Sequence, residues 1–365
     1  MKLVVFFLLS VGFGFSQNTY IPDDNFEQAI IDLGFDSGPL DDYVPTNAIS
    51  SITFLDIGEM NISDLTGIED FTDLNHIRCH LNNLSVLDFS NNSNLRIIKC
   101  DQNNLTELIL GSNSTLEQIW TYDNALTTID VSQLPNLEIL SISDNNLTGI
   151  DVSNNPSLRN FWCFNNDIPS VDISNNVNLE IFWCSQNDLI TLDVTNNPNL
   201  ETFLCYQNSI STLDLSNNTE LAYIACHFND LTYLNVKNGN NTNVTNFQAY
   251  GNAQLNCIEV DDPMYSEANW TQVDFDVSFY EDCDNLSVQE VVFNQIKIFP
   301  NPTFDQIIIS GINESQFHAI LYDINGKEIM DSNSNIIDIS NLDSGVYYLK
   351  ISTNNAILTK KVVKH

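Results

Sequence analysis

Basic residues are what this 365-residue chain has least of: 12 Lys and Arg stand against 48 Asp and Glu, a formal charge of −36. Binding along nucleic acid takes clustered Lys and Arg on phosphates, so a general nucleic-acid binder is excluded. Docking on an anionic membrane surface is excluded on the same ground. Charge of either sign is sparse, at 16% of residues, against roughly 25% in an average globular protein. After the N-terminal segment, no apolar run reaches the ~18 residues of a membrane span, so no transmembrane segment is expected. Catalytic signatures are missing too: there is no G-x-S-x-G, no H-E-x-x-H and no P-loop. The five histidines (His76, His80, His227, His318, His365) do not recur beside an acid and a nucleophile. Packed or solvated roles suit them better than catalysis. The expectation is a protein that is not an enzyme and carries no cofactor.

Asparagine takes the place of charge, with 52 copies. At 43% hydrophobic and 10% aromatic the chain is too apolar to be disordered. Its asparagines are periodic: Asn82, Asn103, Asn124, Asn145, Asn166, Asn187, Asn208 and Asn229 step by 21 residues. Leucines keep the same step from Leu74 to Leu221. Six of the eight cysteines (79, 100, 163, 184, 205, 226) are separated by 21 or by 63. The unit reads L-x-x-[ILF]-x-C-x-x-N-x-[LI]-x-x-[LIV]-D-[VIL]-S. Seven copies fill 74–220. A longer one precedes at 52–73, with Met60 in the Asn column, and looser ones follow at 221–243 and from Val244.

This unit resembles a bacterial leucine-rich repeat. The resemblance implies a mainly β solenoid of parallel strands, about ten turns long. One repeat cannot bury its own apolar face, so copies stack at ~4.8 Å and fill a shared interior. An inward Asn amide can satisfy backbone groups of neighbouring turns. The second segment of each unit, such as Leu192–Thr195 or Leu213–Ser216, alternates and is expected to form a second strand. The Asn pairs 154–155, 175–176, 196–197 and 217–218 are expected to turn the chain, because Asn tolerates the left-handed region. Residues Pro22 to Gly34 read as a short capping helix with acids in its first turn.

Cys257 and Cys283 leave the repeat and bracket a C-terminal cap, so in a secreted chain they read as a disulfide. The six ladder cysteines read as free, buried thiols. Asp130, Asp151, Asp172, Asp193 and Asp214 form an acidic column. Stacked at ~5 Å, such charges repel by roughly 0.8 kcal/mol per pair even in water. Hydrogen bonding to adjacent Ser and Thr is the expectation, with calcium coordination as the alternative.

Along the first strand, side chains alternate in and out. One outward column holds Arg78, Lys99, Trp120, Ser141, Trp162, Trp183, Leu204 and Ala225. The next holds His80, Asp101, Tyr122, Ser143, Phe164, Ser185, Tyr206, His227 and Tyr250, with Tyr223 and Phe228 nearby. Three of the four tryptophans share one column. Contiguous exposed aromatics mark interaction sites; cross-strand stacking that stabilises the sheet is the other reading. The expected binding residues are Arg78, Lys99, Trp120, Tyr122, Trp162, Phe164, Trp183, Tyr206, Tyr223 and Phe228. With Arg96 beside Arg78 and Lys99, a protein or glycan ligand with an apolar or sugar face and an anionic group would fit. A structural or adhesive spacer is the competing function.

The two ends read as addresses. Lys2 followed by the short apolar run Leu3–Phe15 suits a cleaved secretory signal. At the other end, Phe299-Pro300-Asn301-Pro302-Thr303, Leu321 to Lys327, Ile337 to Tyr348 and Lys360-Lys361 occur in order. These blocks resemble the type A sorting domain of the type IX secretion system of Bacteroidetes-type bacteria. Pro300, Asn301, Pro302, Gly326, Lys327, Gly345, Tyr347, Lys360 and Lys361 carry the motif. The resemblance implies a small antiparallel β-sandwich, the secretion machinery as partner, and a secreted or cell-surface location. The expected order is signal peptide 1–17, N-terminal cap 18–51, solenoid 52–254, C-terminal cap 255–284, linker 285–295 and sorting domain 296–365.

Overall fold

The computed structural model describes residues 17–283, 296–311, 317–324, 326–353 and 357–365. Residues 1–16 of the expected signal, the expected linker and Asn325 lie outside them. Two compact units divide the chain between Glu281 and Asp282.

In the first unit, ten three-residue strands stack in parallel and in chain order, from Phe54–Asp56 and His76–Arg78 to Tyr223–Ala225 and Asn246–Gln248. Gln272 adds a parallel bridge to Gln248. Register is fixed by the repeat: Phe161 pairs with Phe182 and Phe182 with Phe203. These middle residues are fully buried and their rings stack at 5.5 and 6.1 Å. The cysteine column lies beside them, six free thiols without solvent contact. Burial pushes Cys100 up to about 12, so these thiols stay protonated and unreactive.

The Asn column closes each turn. Asn187 Nδ2 donates to the carbonyls of Cys163 (2.9 Å), Cys184 (3.2 Å) and Ser185 (3.2 Å), and its Oδ1 accepts the Ile168 N–H at 3.0 Å. The pattern repeats at Asn145, Asn166 and Asn208.

Two local expectations need correction. The Asn pairs do not turn the chain through the left-handed region. Their second members, Asn155, Asn176, Asn197 and Asn218, are fully buried and form another ladder. Asn197 Nδ2, for example, donates to Ile173 O (3.1 Å) and Asn176 O (2.9 Å). The left-handed residues are instead those just before the first Asn column: Leu81, Gln102, Asp123, Asp144, Asn165, Gln186, Gln207 and Phe228, with φ between 52° and 56°. Each costs about 1–2 kcal/mol for a non-glycine residue. Their own N–H groups hold them there by bonding the next turn, as Gln186 N–H does to Tyr206 O at 2.9 Å.

The second segment is likewise a strand only near the ends. Val86–Asp88 pairs with Glu107–Ile109. A parallel four-stranded sheet joins Thr212–Asp214, Tyr233–Asn235, Cys257–Glu259 and Ser278–Tyr280. Between them, Ile129, Ile150 and Val171 are only partly buried. Little apolar area is gained by drawing those segments together, and no backbone ladder forms.

The N-terminal cap is built on Asp23. Its Oδ1 accepts Asn25 and Phe26 N–H at 3.0 Å, starting helix Asp24–Asp32. Its Oδ2 accepts Ser63 N–H (2.8 Å), Ser63 Oγ–H (2.7 Å) and Asp64 N–H (3.1 Å), tying the helix to the first turn. Phe26, Ala29 and Ile30 then join the solenoid core. At the far end, Trp270 stacks on Phe247 at 4.2 Å and meets Phe279 edge-on. Cys257 and Cys283 are disulfide-bonded.

The second unit is an antiparallel sandwich. One sheet holds Lys297–Phe299, Gln306–Ser310 and Ile336–Asp338. The other holds Glu328–Ser332, Phe317–Tyr322, Gly345–Thr353 and Ile357–Lys364. The strand Glu328–Ser332 carries no strong β signal in sequence; it forms by pairing with Phe317–Tyr322. Ile307, Ile309, Leu321, Leu349 and Val362 fill the core.

Candidate binding face

The outward columns of the ten-stranded sheet bring most of the expected binding residues into one line. Register places Arg78, Lys99, Trp120, Ser141, Trp162, Trp183, Leu204 and Ala225 side by side. The face is not an open aromatic surface, however. Trp120 stacks on Trp162 at 5.4 Å across Ser141, and Phe164 on Trp183 at 4.1 Å. Trp183 tilts against Tyr206 at 6.5 Å. His227 lies between Tyr206 and Tyr250, 4.6 Å from each ring. Ser141, Ser143, Ser185 and Ala225 are buried beneath these rings. Small residues interrupt the columns at Ser141, Ser143 and Ser185, and the rings on either side of Ser141, Trp120 and Trp162, stack on each other.

The aromatics are therefore half-buried, with Phe228, at 52% exposure, the open one. Phe228 meets Tyr250 edge-on at 5.2 Å. Tyr223 stands one column over, in register with Thr202 and Asn246. His227 and Tyr250 belong to the stack as fully as the expected residues; their place in the same column as Tyr206 is the signal for it. Burial lowers the His227 pKa, keeping the imidazole neutral between its two tyrosines.

Two of the three cations at the N-terminal end are paired with carboxylates. Arg78 pairs with Asp56 at 3.4 Å and lies over Phe54. Arg96 pairs with Glu117 at 2.6 Å. The Lys99 ammonium sits 5.2 Å from the Trp120 ring. Asp101, buried next to it in the other column, hydrogen-bonds Tyr122. Burial first, and this carboxylate second, push the tyrosine up to about 12.

The acidic column has a structural role. Asp130, Asp151, Asp172, Asp193 and Asp214 each accept the backbone N–H two residues on, at 2.9–3.0 Å. Among the described residues, the carboxylates that converge closely enough to share a cation are Asp24, Glu27 and Asp42, outside this column. Hydrogen bonds from Ser132, Ser153, Ser174 and Thr195 hold Asp130, Asp151, Asp172 and Asp193 below the ordinary carboxylate range. A lowered folded pKa stabilises above the unfolded value of about 3.9 and is lost as pH falls through the folded one. The melting midpoint should therefore drop below about pH 4. An Asp151→Asn/Asp172→Asn variant should drop less steeply; parallel curves would rule out this contribution.

In the sandwich, the sorting residues build a scaffold. Asn301 Nδ2 donates to Lys361 O at 2.7 Å and its Oδ1 accepts Val363 N–H at 2.9 Å, joining the Pro300–Pro302 loop to the last strand. Gly326, at φ 76°, closes a turn in which Lys327 N–H bonds Asp323 Oδ1. Tyr347 Oη donates to Asp343 O at 2.8 Å, just before Gly345 opens its strand. Lys360 and Lys361 are exposed on the final strand.

Comparison with known proteins adds the following. Residues 297–365 match the secretion system C-terminal sorting domain. Internalin J of Listeria monocytogenes is 37% identical over 78 residues, 21% of this chain and 8% of that protein. The chain thus matches only a small part of that relative's length. Among solved structures, the functional domain of InlJ from Listeria monocytogenes, described as including a cysteine ladder, superposes with a TM-score of 0.56 at 20% identity, over 96% of this chain and 99% of that one. An internalin from the same species, inlF, follows at 0.51 and 18%, over 71% and 88%. These likenesses show the leucine-rich-repeat fold. The sorting domain marks the chain as one exported by a type IX system to the cell surface or medium.

Proposed function

We propose that this exported leucine-rich-repeat protein is a non-enzymatic binder that holds a protein or glycan ligand on its aromatic strand face. One observation carries the reading. The ring ridge from Trp120 to Tyr250 lies on the outward side of the sheet, while a complete core of Leu, Ile, Phe and Cys lies inside. Interface centres are enriched in Trp, Tyr and Phe.

Replacing Trp162 and Trp183 together with alanine is the test. A binder loses at least tenfold in affinity for a ligand found on protein and glycan arrays, and its circular-dichroism spectrum stays unchanged. The rings' mutual stacking supports a second reading, a rigid surface spacer. For a spacer, the same variant loses stability and nothing else.

A further inference from the structure

Resting on that reading, we infer that the ligand is a protein, and one that offers an apolar patch rimmed by lysine and arginine. The first observation is where the rings point. A sugar recognised by aromatics lays its C–H face on an open ring. Here most of the ridge rings spend a face on one another: Trp120 on Trp162, Phe164 on Trp183, His227 between Tyr206 and Tyr250. What reaches the surface is a ridge of half-buried, mutually stacked rings, with Phe228 exposed at one end. Such a ridge inserts between side chains of a partner at little conformational cost. It crosses seven strands, about 29 Å.

The second observation is the rim. Glu117, Glu138, Glu180 and Glu201 precede the strands and Asp123 and Asp144 follow them. Arg96 and Arg159 take Glu117 and Glu180. Among the described residues, no ion pair reaches Glu138, Glu201, Asp123 or Asp144. Asp144 instead accepts the neutral Asn165 amide at 2.7 Å. An apolar centre flanked by unneutralised carboxylates at both strand ends repels an acidic rim and steers in a basic one.

Panning a random peptide display library against the immobilised full chain tests this, with an array of neutral oligosaccharides in parallel. Enriched peptides should combine aromatic or large aliphatic residues with flanking Lys or Arg. Their affinity should fall several-fold from low to high salt. They should lose at least tenfold on Trp162→Ala/Trp183→Ala, and about tenfold on Glu138→Lys/Glu201→Lys at an unchanged melting midpoint. Peptides that depend on the tryptophans but are neutral or acidic, or oligosaccharides that bind in a tryptophan-dependent way, overturn the partner assignment and leave the binding face standing. If no probe distinguishes the wild-type chain from the folded tryptophan variant, the binding face falls, and the partner with it.

Discussion

Asn187→Ala lowers the free energy of unfolding by about 3–5 kcal/mol, read by urea denaturation. The amide makes four bonds, but losing it does not orphan four groups. Cys163 O keeps Asn166 Nδ2, Cys184 O keeps Asn208 Nδ2, and Ser185 O keeps the Asn165 N–H. Ile168 N–H is left with no acceptor in a buried site. One orphaned donor costs about 1–3 kcal/mol, and the three bonds to carbonyls that keep another donor add about 2 more in all. Asn187→Asp separates this from a volume effect. Aspartate fills the space and can accept from Ile168, but it faces three carbonyl oxygens without a donor. It should be at least as damaging as alanine at neutral pH. An alanine variant within 1 kcal/mol of wild type would mean that the ladder contributes little.

Phe182→Ala has a comparable effect, about 3–5 kcal/mol, for a different reason. Phe182 is fully buried between Phe161 and Phe203, its ring within 23° of parallel to each. Both neighbours are pinned by strand pairing on either side, so the cavity cannot collapse. Phe182→Leu removes less volume and should cost about half as much. Equal costs for leucine and alanine would show that the site relaxes, contrary to this packing.

Identical residues at a fixed step made the architecture readable. Leu, Cys and Asn columns at 21-residue spacing each answer to one burial environment, and both ladder cysteines and cap disulfide followed from which cysteines keep the step. What escaped the sequence was decided between turns. Left-handed backbone sits at Leu81, Gln186 and Phe228, residues that give no turn signal, because the next turn's carbonyl imposes it. The second Asn of each pair looks the same as the first, yet one is exposed and the other is sealed against the preceding turn. Aromatic residues were placed in the right columns, but whether their faces are open depends on the serines beside them, whose importance lies in their small size. The cations of Arg78 and Arg96 are plain in the sequence; their carboxylate partners, 22 residues back and 21 residues on, are set only by the register between turns.

The Asn ladder also governs how such a chain folds and how long it can become. Asn187 reaches 24 residues back to Cys163 and 19 back to Ile168, so its interactions span a single turn. Each added turn closes a loop of the same length at the same entropic cost. Folding can then spread from a nucleus turn by turn, and mean contact separation does not grow with the array. Phe161, Phe182 and Phe203, on three consecutive turns, are the natural nucleus. Array length thus becomes a free variable: one unit inserted or removed in register preserves every type of bond, and reach can change in evolution without a new fold or a slower one.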